Sequence, residues 1–156
     1  MRDRIERKMT VWKRIVDTNI NGTWLMSRAA VKPMLAQGSG RIVNLSTSFP
    51  TMIRSGFTPY GPTKAALINM AESLKLDCDR LGIRLQLVDP GFVKTPLTDR
   101  NDFPMPFLMP VEEAVEALVA GLASDRFEIV FPRRFAILLK ILNMLPYGAY
   151  FAAVRR

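Results

Sequence analysis

Apolar side chains recur every three or four residues through the start of the chain, which predicts an amphipathic helix over residues 3–36. These apolar positions are Val11, Trp12, Ile15, Val16, Leu25, Met26, Ala29 and Ala30. Asn21 and Gly22 interrupt the pattern, so we expect a kink there. The run Gln37-Gly38-Ser39-Gly40 has the composition that ends a helix.

Short apolar runs and helical patterns alternate along the rest of the sequence. The runs predict strands over 42–45, 83–89 and 127–131. Helical spacing predicts helices over 59–81, 112–123, 135–145 and 147–154, with a loop at 48–58 and a proline-rich irregular stretch at 90–110. This order is typical of right-handed crossovers between parallel strands, and it predicts an α/β sheet protein.

A tyrosine and a lysine stand four residues apart at the start of the 59–81 helix. This spacing puts Tyr60 and Lys64 on one helical face. A free phenol has a pKa near ~10, and a neighbouring ammonium favours the phenolate and lowers that pKa. The pair is therefore a candidate for proton transfer, although a surface lysine beside a half-buried tyrosine has the same spacing.

Hydroxyl groups and a Pro-Gly turn follow two of the predicted strands. The segment Gly-Arg-Ile-Val-Asn-Leu-Ser-Thr-Ser at 40–48 reads as a buried strand that ends in hydroxyls, and Pro90-Gly91 ends the strand 83–89. Ligands of parallel sheets bind beyond the carboxyl ends of the strands. We therefore expect a binding site formed by these residues.

These blocks and the segment Asp-Thr-Asn-Ile-Asn-Gly-Thr at 17–23 resemble, in order and spacing, the short-chain dehydrogenase/reductase family from Val11 to Gly121. The resemblance implies the second half of a Rossmann-like, doubly wound parallel sheet. It also implies reversible hydride transfer between NAD or NADP and an alcohol or ketone. Phe and Met residues of the loop 96–110, if they line the substrate site, indicate an apolar substrate.

The resemblance also implies a role for each candidate residue. Tyr60 is the acid that protonates the carbonyl oxygen, and Lys64 lowers its pKa and binds the nicotinamide ribose. Thr47 stands where the family has the serine that orients the substrate oxygen, with Ser46 as the second choice. Asn19 holds, through its backbone, a water that links Lys64 to solvent. The segment that contacts the nicotinamide carboxamide comprises Pro90, Gly91, Val93 and Thr95.

The glycine-rich turn that binds pyrophosphate in this family has no match among the 156 residues. Gly38-Ser39-Gly40 precedes a strand instead of following one. We therefore expect a truncated catalytic half-domain at 1–131, with the first nucleotide-binding half missing, that binds NAD(P)H poorly by itself. The alternative is a non-catalytic remnant that acts as an oligomerisation or membrane-surface module.

Composition narrows the remaining possibilities. The chain has no histidine and a single cysteine, Cys78, which excludes His-based triads, Cys/His zinc sites and an intrachain disulfide. The N-terminus carries charges instead of an apolar signal run, so we expect a cytoplasmic protein. The net charge of +8 is concentrated at both ends, but no nucleic-acid motif accompanies it. As in the family, we expect a homo-oligomer.

The segment 132–156 is predicted to be a separate apolar and basic helical region. Lys140, Asn143 and Pro146 interrupt it too often for a membrane span. Packing over the substrate site is the favoured interpretation. The alternative is peripheral contact with an anionic membrane, which would make the protein membrane-associated.

Overall fold

The computed structural model describes residues 2–48 and 59–154, with side chains from residue 9 onward. The helices are α1 (Arg2–Val16), α2 (Thr23–Gln37), α3 (Tyr60–Arg80), α4 (Val111–Ala123), α5 (Arg133–Asn143) and α6 (Tyr147–Val154). The strands are β1 (Gly40–Leu45), β2 (Ile83–Pro90) and β3 (Glu128–Phe131). These elements confirm the predicted helices and strands, while residues 49–58 of the predicted loop lie outside the described residues.

The predicted interruption of the first helix takes the form of a π-helical segment. Residues Asp17–Gly22 form a π-helical segment that continues α1 into α2, and Gly22 keeps right-handed helical angles. A π-helical segment inserts an extra residue into the helical turn and is one of the known causes of a kink. The position of the irregularity was thus predicted, but its geometry was not.

The strands form one parallel sheet in the order β1-β2-β3. Strand β2 is buried at six of its eight positions, which is typical of a central strand covered on both faces. In β1, only Ile42 and Asn44 are buried, whereas Val43 and Leu45 are 43% and 58% exposed. The prediction of a buried strand therefore holds for one face of β1 only, because the other face is exposed.

The described residues fall into two compact units. The first comprises Met1–Asn44 and Arg54–Leu85, and the second comprises Leu45–Ile53 and Gln86–Arg156. In the second unit, α4 packs on β3 around a core that contains Val88, Ala114, Ile129 and Phe131. Helix α5 packs on β3 as well, with Phe135, Ala136 and Leu139 buried. Residues from 132 onward thus share a unit with residues 86–131.

Cys78 is buried in α3. Burial, followed by the charges of Asp77 and Asp79, raises the pKa of its thiol, so the thiol stays protonated at neutral pH. Over residues 2–48 and 59–154, no helix is long and apolar enough to cross a membrane. Within the same ranges, no cluster of three metal-ligating side chains occurs.

A glycine sets how closely α4 approaches β3. A Cβ atom added at Gly121 would lie 2.3 Å from Cγ2 of Ile129. Because Cγ2 is attached directly to the branched Cβ of Ile129, it cannot easily move aside. The Gly121 carbonyl also accepts a hydrogen bond of 3.3 Å from Nε2 of Gln86. The same Nε2 lies 3.1 Å from the carbonyls of Ser124 and Arg126, so Gln86 satisfies acceptors at the end of α4.

We expect Gly121→Ala to lower the free energy of unfolding by about 1–3 kcal/mol, because the added methyl group overpacks this contact. Gly148→Ala is the matched control, since nothing lies within 4 Å of a Cβ atom at that position of α6. Alanine has the higher helix propensity, so the control is expected to be neutral or slightly stabilising. Urea unfolding of the two variants measures the difference, and equal stabilities would contradict the packing argument.

Candidate active site

The predicted site residues are divided between the two units. Asn19, Tyr60 and Lys64 belong to the first unit. Ser46 and Thr47 belong to the second, together with the segment after β2 that contains Pro90, Gly91, Val93 and Thr95. Each group has its own hydrogen-bonding network.

In the first unit, a buried threonine connects Asn19 to the start of α3. Nδ2 of Asn19 donates to Oγ1 of Thr63 at 3.0 Å, and Oγ1 of Thr63 donates to the Tyr60 carbonyl at 2.8 Å. Thr63 is only 1% exposed, so water does not compete for these bonds. The network ties the π-helical segment to the turn of α3 that carries Tyr60 and Lys64.

The sequence around Asn19 explains why it can reach Thr63. Asn19 lies in the π-helical segment, which contacts α3 more extensively than α1 does. Inside this segment, Nδ2 of Asn21 donates to Oδ1 of Asp17 at 2.8 Å. Short amides such as these compete with regular helical bonding, which favours an irregular turn at this position.

Tyr60 and Lys64 lie on one face of α3, as their spacing predicted. Nζ of Lys64 lies over the Tyr60 ring, 5.7 Å from the ring centroid, within the range of a cation–π contact. Burial raises the pKa of Tyr60 above its ordinary value, even though 42% of the residue is exposed. The direction of this pKa shift is opposite to the expected lowering, because burial disfavours the charged phenolate.

In the second unit, the hydroxyl-rich end of β1 is bonded to the end of β2. The Ser46 amide donates to the Val88 carbonyl at 2.8 Å, which continues the strand ladder by one residue. Oγ1 of Thr47 donates to the Pro90 carbonyl at 3.3 Å, and Ser46 and Thr47 are 3% and 8% exposed. Both candidates for the substrate-orienting hydroxyl are therefore buried, and both are hydrogen-bonded to the backbone of β2.

Close packing accounts for the glycine after β2. The Gly91 amide donates to the Phe131 carbonyl at 2.7 Å. A Cβ atom at Gly91 would lie 3.0 Å from Cδ of Pro132 and 3.3 Å from that carbonyl oxygen. The segment before α5 thus requires a small residue here, whether or not a ligand approaches the backbone.

Thr95 bonds a threonine that sequence analysis missed. The Thr95 amide donates to Oγ1 of Thr98 at 2.8 Å, and the two hydroxyl oxygens lie 3.2 Å apart. Oγ1 of Thr98 also donates to the Val93 carbonyl at 2.8 Å, which orders the turn after β2. Val93 is further held by a parallel bridge to Met109, which closes the base of the intervening loop.

Thr63 and Thr98 are the two residues that sequence reasoning overlooked. Each is a threonine three residues after a candidate site residue, Tyr60 or Thr95. A threonine at this spacing can bond back to the preceding turn, and this signal could have identified both.

Comparison with known proteins agrees with this geometry. The α/β fold with its parallel sheet is Rossmann-like, and the profile of the family described as short chain dehydrogenase matches residues 2–103. The chain therefore belongs to the short chain dehydrogenase family. Which half of the family's fold these residues represent stays a prediction, as do the roles of the site residues.

Three proteins illustrate the similarity. An uncharacterized oxidoreductase of Myxococcus xanthus is 35% identical over 96% of this chain and 60% of its own length. A 3-alpha-(or 20-beta)-hydroxysteroid dehydrogenase of Mycobacterium bovis is 39% identical over 75% of this chain and 46% of its own. A short-chain dehydrogenase from Sphingobium yanoikuyae, solved with NADPH, is 25% identical with a TM-score of 0.69 over 82% of this chain and 51% of that one. The chain thus spans about half to three fifths of these proteins.

We expect Asn19→Ala and Thr63→Val to be strongly non-additive. Each substitution alone breaks the buried bond, so the double variant loses less free energy of unfolding than the sum, by about 0.5–3 kcal/mol. Asn21→Ala with Thr63→Val is the control pair, because Asn21 bonds Asp17 instead of Thr63. Additive effects in both pairs, measured by urea unfolding, would argue against the Asn19–Thr63 bond.

The raised pKa of Tyr60 predicts that its phenol titrates above the ordinary value near ~10. The chain has three tyrosines, so the difference between the parent and Tyr60→Phe in ultraviolet tyrosinate absorbance isolates this group. The folded state holds the Tyr60 proton more tightly than the unfolded chain does, so the contribution of Tyr60 to stability is present below the ordinary pKa and is lost as the pH rises from there through the raised pKa of the folded state. A Tyr60 transition below the ordinary value would show that Lys64 dominates after all.

Proposed function

We propose that these residues form the catalytic part of an NAD(P)-dependent oxidoreductase that interconverts an apolar alcohol and its ketone. The observation that carries this proposal is the Tyr60–Lys64 pair on α3, held to the π-helical segment through Thr63 and Asn19. One similar relative is named an oxidoreductase and another a hydroxysteroid dehydrogenase, which supports the same reaction class.

The available donors fit a nicotinamide nucleotide. Tyr60 is 42% exposed and carries an ammonium beside it, which suits the hydroxyl groups of a ribose. Thr95 adds a hydroxyl after β2, at the edge where parallel sheets bind ligands. When bound, the nicotinamide ring accepts or supplies the hydride. The similar structure from Sphingobium yanoikuyae was solved with NADPH, and we propose NAD or NADP for this chain.

Proton transfer falls to Tyr60 in this proposal. Because burial raises its pKa, Tyr60 keeps its proton at neutral pH and can donate it to a carbonyl oxygen during reduction. Lys64 supplies the positive charge that stabilises the phenolate left behind. The Asn19 amide is engaged with Thr63, so its proposed role in holding a water rests on its backbone in the π-helical segment.

Thr47 is our first choice for orienting the substrate oxygen, and Ser46 is the second. The Thr47 hydroxyl donates to a backbone carbonyl at 3.3 Å, which is a long bond that a substrate oxygen can replace. Ser46 is more deeply buried, at 3% exposure. Thr47 therefore has the better access of the two.

An aromatic cluster supports an apolar substrate. Phe92 lies 5.9 Å from Phe103 and 6.4 Å from Phe135, and Phe107 lies 5.3 Å from Phe135, measured between ring centroids. Phe107 has a φ of 58°, in the left-handed region where a bulky side chain is strained. Such strain is concentrated at ligand-binding segments. A hydroxysteroid is the first substrate to test, since the relative from Mycobacterium bovis is named for one.

Self-association is a second proposal and is compatible with the first. Helix α2 exposes Trp24, Leu25 and Met26 by 43%, 57% and 71%. Such apolar surface is typical of a contact between proteins. In the non-catalytic alternative, oligomerisation or binding to a membrane surface would be the only function. The catalytic and non-catalytic alternatives differ in dinucleotide binding.

We expect Tyr60→Phe to retain cofactor binding and to lower turnover by about 10²–10⁴-fold, because phenylalanine keeps the ring and removes the transferable proton. The test uses the longest polypeptide that the gene encodes around these residues. NADH and NADPH binding is followed by nicotinamide fluorescence, and turnover is measured with a hydroxysteroid and with simple secondary alcohols.

The outcomes separate the alternatives. Cofactor binding with a Tyr60-dependent rate supports the oxidoreductase. A Tyr60→Phe variant with the parental rate would remove Tyr60 from the mechanism. Absence of binding for both dinucleotides would leave the non-catalytic alternative.

A further inference from the structure

Helix α5 has apolar side chains on both of its faces, and its outer face carries basic side chains as well. Its inner face packs within the second unit through Phe135, Ala136 and Leu139, which are all buried. Its outer face consists of exposed residues about one helical turn apart, and it continues to the residue that follows the helix. These residues are Arg133, Arg134, Ile137, Leu138, Lys140, Ile141 and Met144.

The apolar side chains of the outer face are well exposed. Ile137 and Ile141 are 58% and 55% exposed, and Met144 is 84% exposed. Just beyond the helix, Tyr147 is 79% exposed and stacks on Phe151 with ring centroids 6.0 Å apart. Aromatic rings with a polar tip, such as Tyr147, are favoured at the boundary between lipid and water.

The charges on this face have one sign. The sequence has no acidic residue after Glu128, while Arg133 and Arg134 are exposed in the first turn of α5. Positive side chains at a helix N-terminus oppose the helix dipole, so they do not serve the stability of α5. Lys140 differs from the two arginines because its charge is paired within the protein: its Nζ bonds Oε2 of Glu128 at 2.5 Å.

We propose that the outer face of α5 binds the surface of an anionic lipid bilayer. The exposed apolar side chains enter the boundary between headgroups and acyl chains, and Arg133 and Arg134 contact the anionic headgroups. A second copy is the poorer occupant, because a symmetric contact would place arginines against arginines, and the Glu128 carboxylate beside this face is already bonded to Lys140. This surface would bring the protein close to membrane-dissolved apolar compounds, independently of whether the catalytic proposal holds.

Co-sedimentation of the full chain with vesicles tests the proposal. With phosphatidylcholine vesicles that contain phosphatidylserine, we expect binding that weakens with added salt and with removal of phosphatidylserine. Arg133→Gln with Arg134→Gln is expected to lower the partition coefficient roughly tenfold or more. Met144→Ser is expected to lower it by roughly tenfold through lost apolar burial.

Matched controls come from α2, which also exposes apolar and basic side chains. Met26→Ser and Arg28→Gln repeat the same chemical changes at exposed positions outside α5, and are expected to leave vesicle binding unchanged. Equal losses in both sets would overturn the proposal, as would absence of co-sedimentation with anionic vesicles at low salt. If the chain self-associates in analytical ultracentrifugation and Met144→Ser abolishes this self-association, the face would be assigned to a second copy instead.

Discussion

Strand β2 must satisfy its backbone hydrogen bonds inside the protein, because six of its eight residues are buried. Partners approach from both sides of the strand. On one side, the Ser48 amide donates to the Pro90 carbonyl at 3.0 Å, and on the other the Gly91 amide donates to the Phe131 carbonyl at 2.7 Å. The polar segment after β1 and the chain before α5 are thereby both attached to the end of β2.

The side chains of β2 extend the same constraint to the neighbouring helix. Gln86 is 1% exposed and directs its amide at three carbonyls near the end of α4. The carbonyls at the end of a helix lack intrahelical partners, and the Gly121 carbonyl also accepts from the Ser124 amide and hydroxyl. Gly121 allows the close approach that this arrangement needs, since any larger residue would meet Ile129. A buried polar residue and a glycine in a helix, each costly alone, are thus compatible as a pair.

In the first unit, a buried polar side chain likewise satisfies hydrogen-bonding groups around the candidate functional residues. Thr63 satisfies the Asn19 amide and the Tyr60 carbonyl with one buried hydroxyl, which limits the movement of the turn that carries Tyr60. Tyr60 itself remains partly exposed, and its raised pKa keeps the phenol ready to donate a proton. The rigid part of this unit is therefore the support of the candidate acid, while the acid itself remains accessible.

Helices, strands and the α/β class were predictable from the sequence, because apolar periodicity reflects local backbone geometry and the covered face of each element. The Tyr60–Lys64 pair was predictable for the same reason, since four residues of helix set its geometry. Only the tertiary structure showed that Asn19 bonds Thr63, 44 residues away, and that Gly91 packs against Pro132. It also reversed the expected pKa shift of Tyr60 and revealed the exposed face of β1. Desolvation and burial depend on everything that surrounds a group, and those neighbours come from distant parts of the chain.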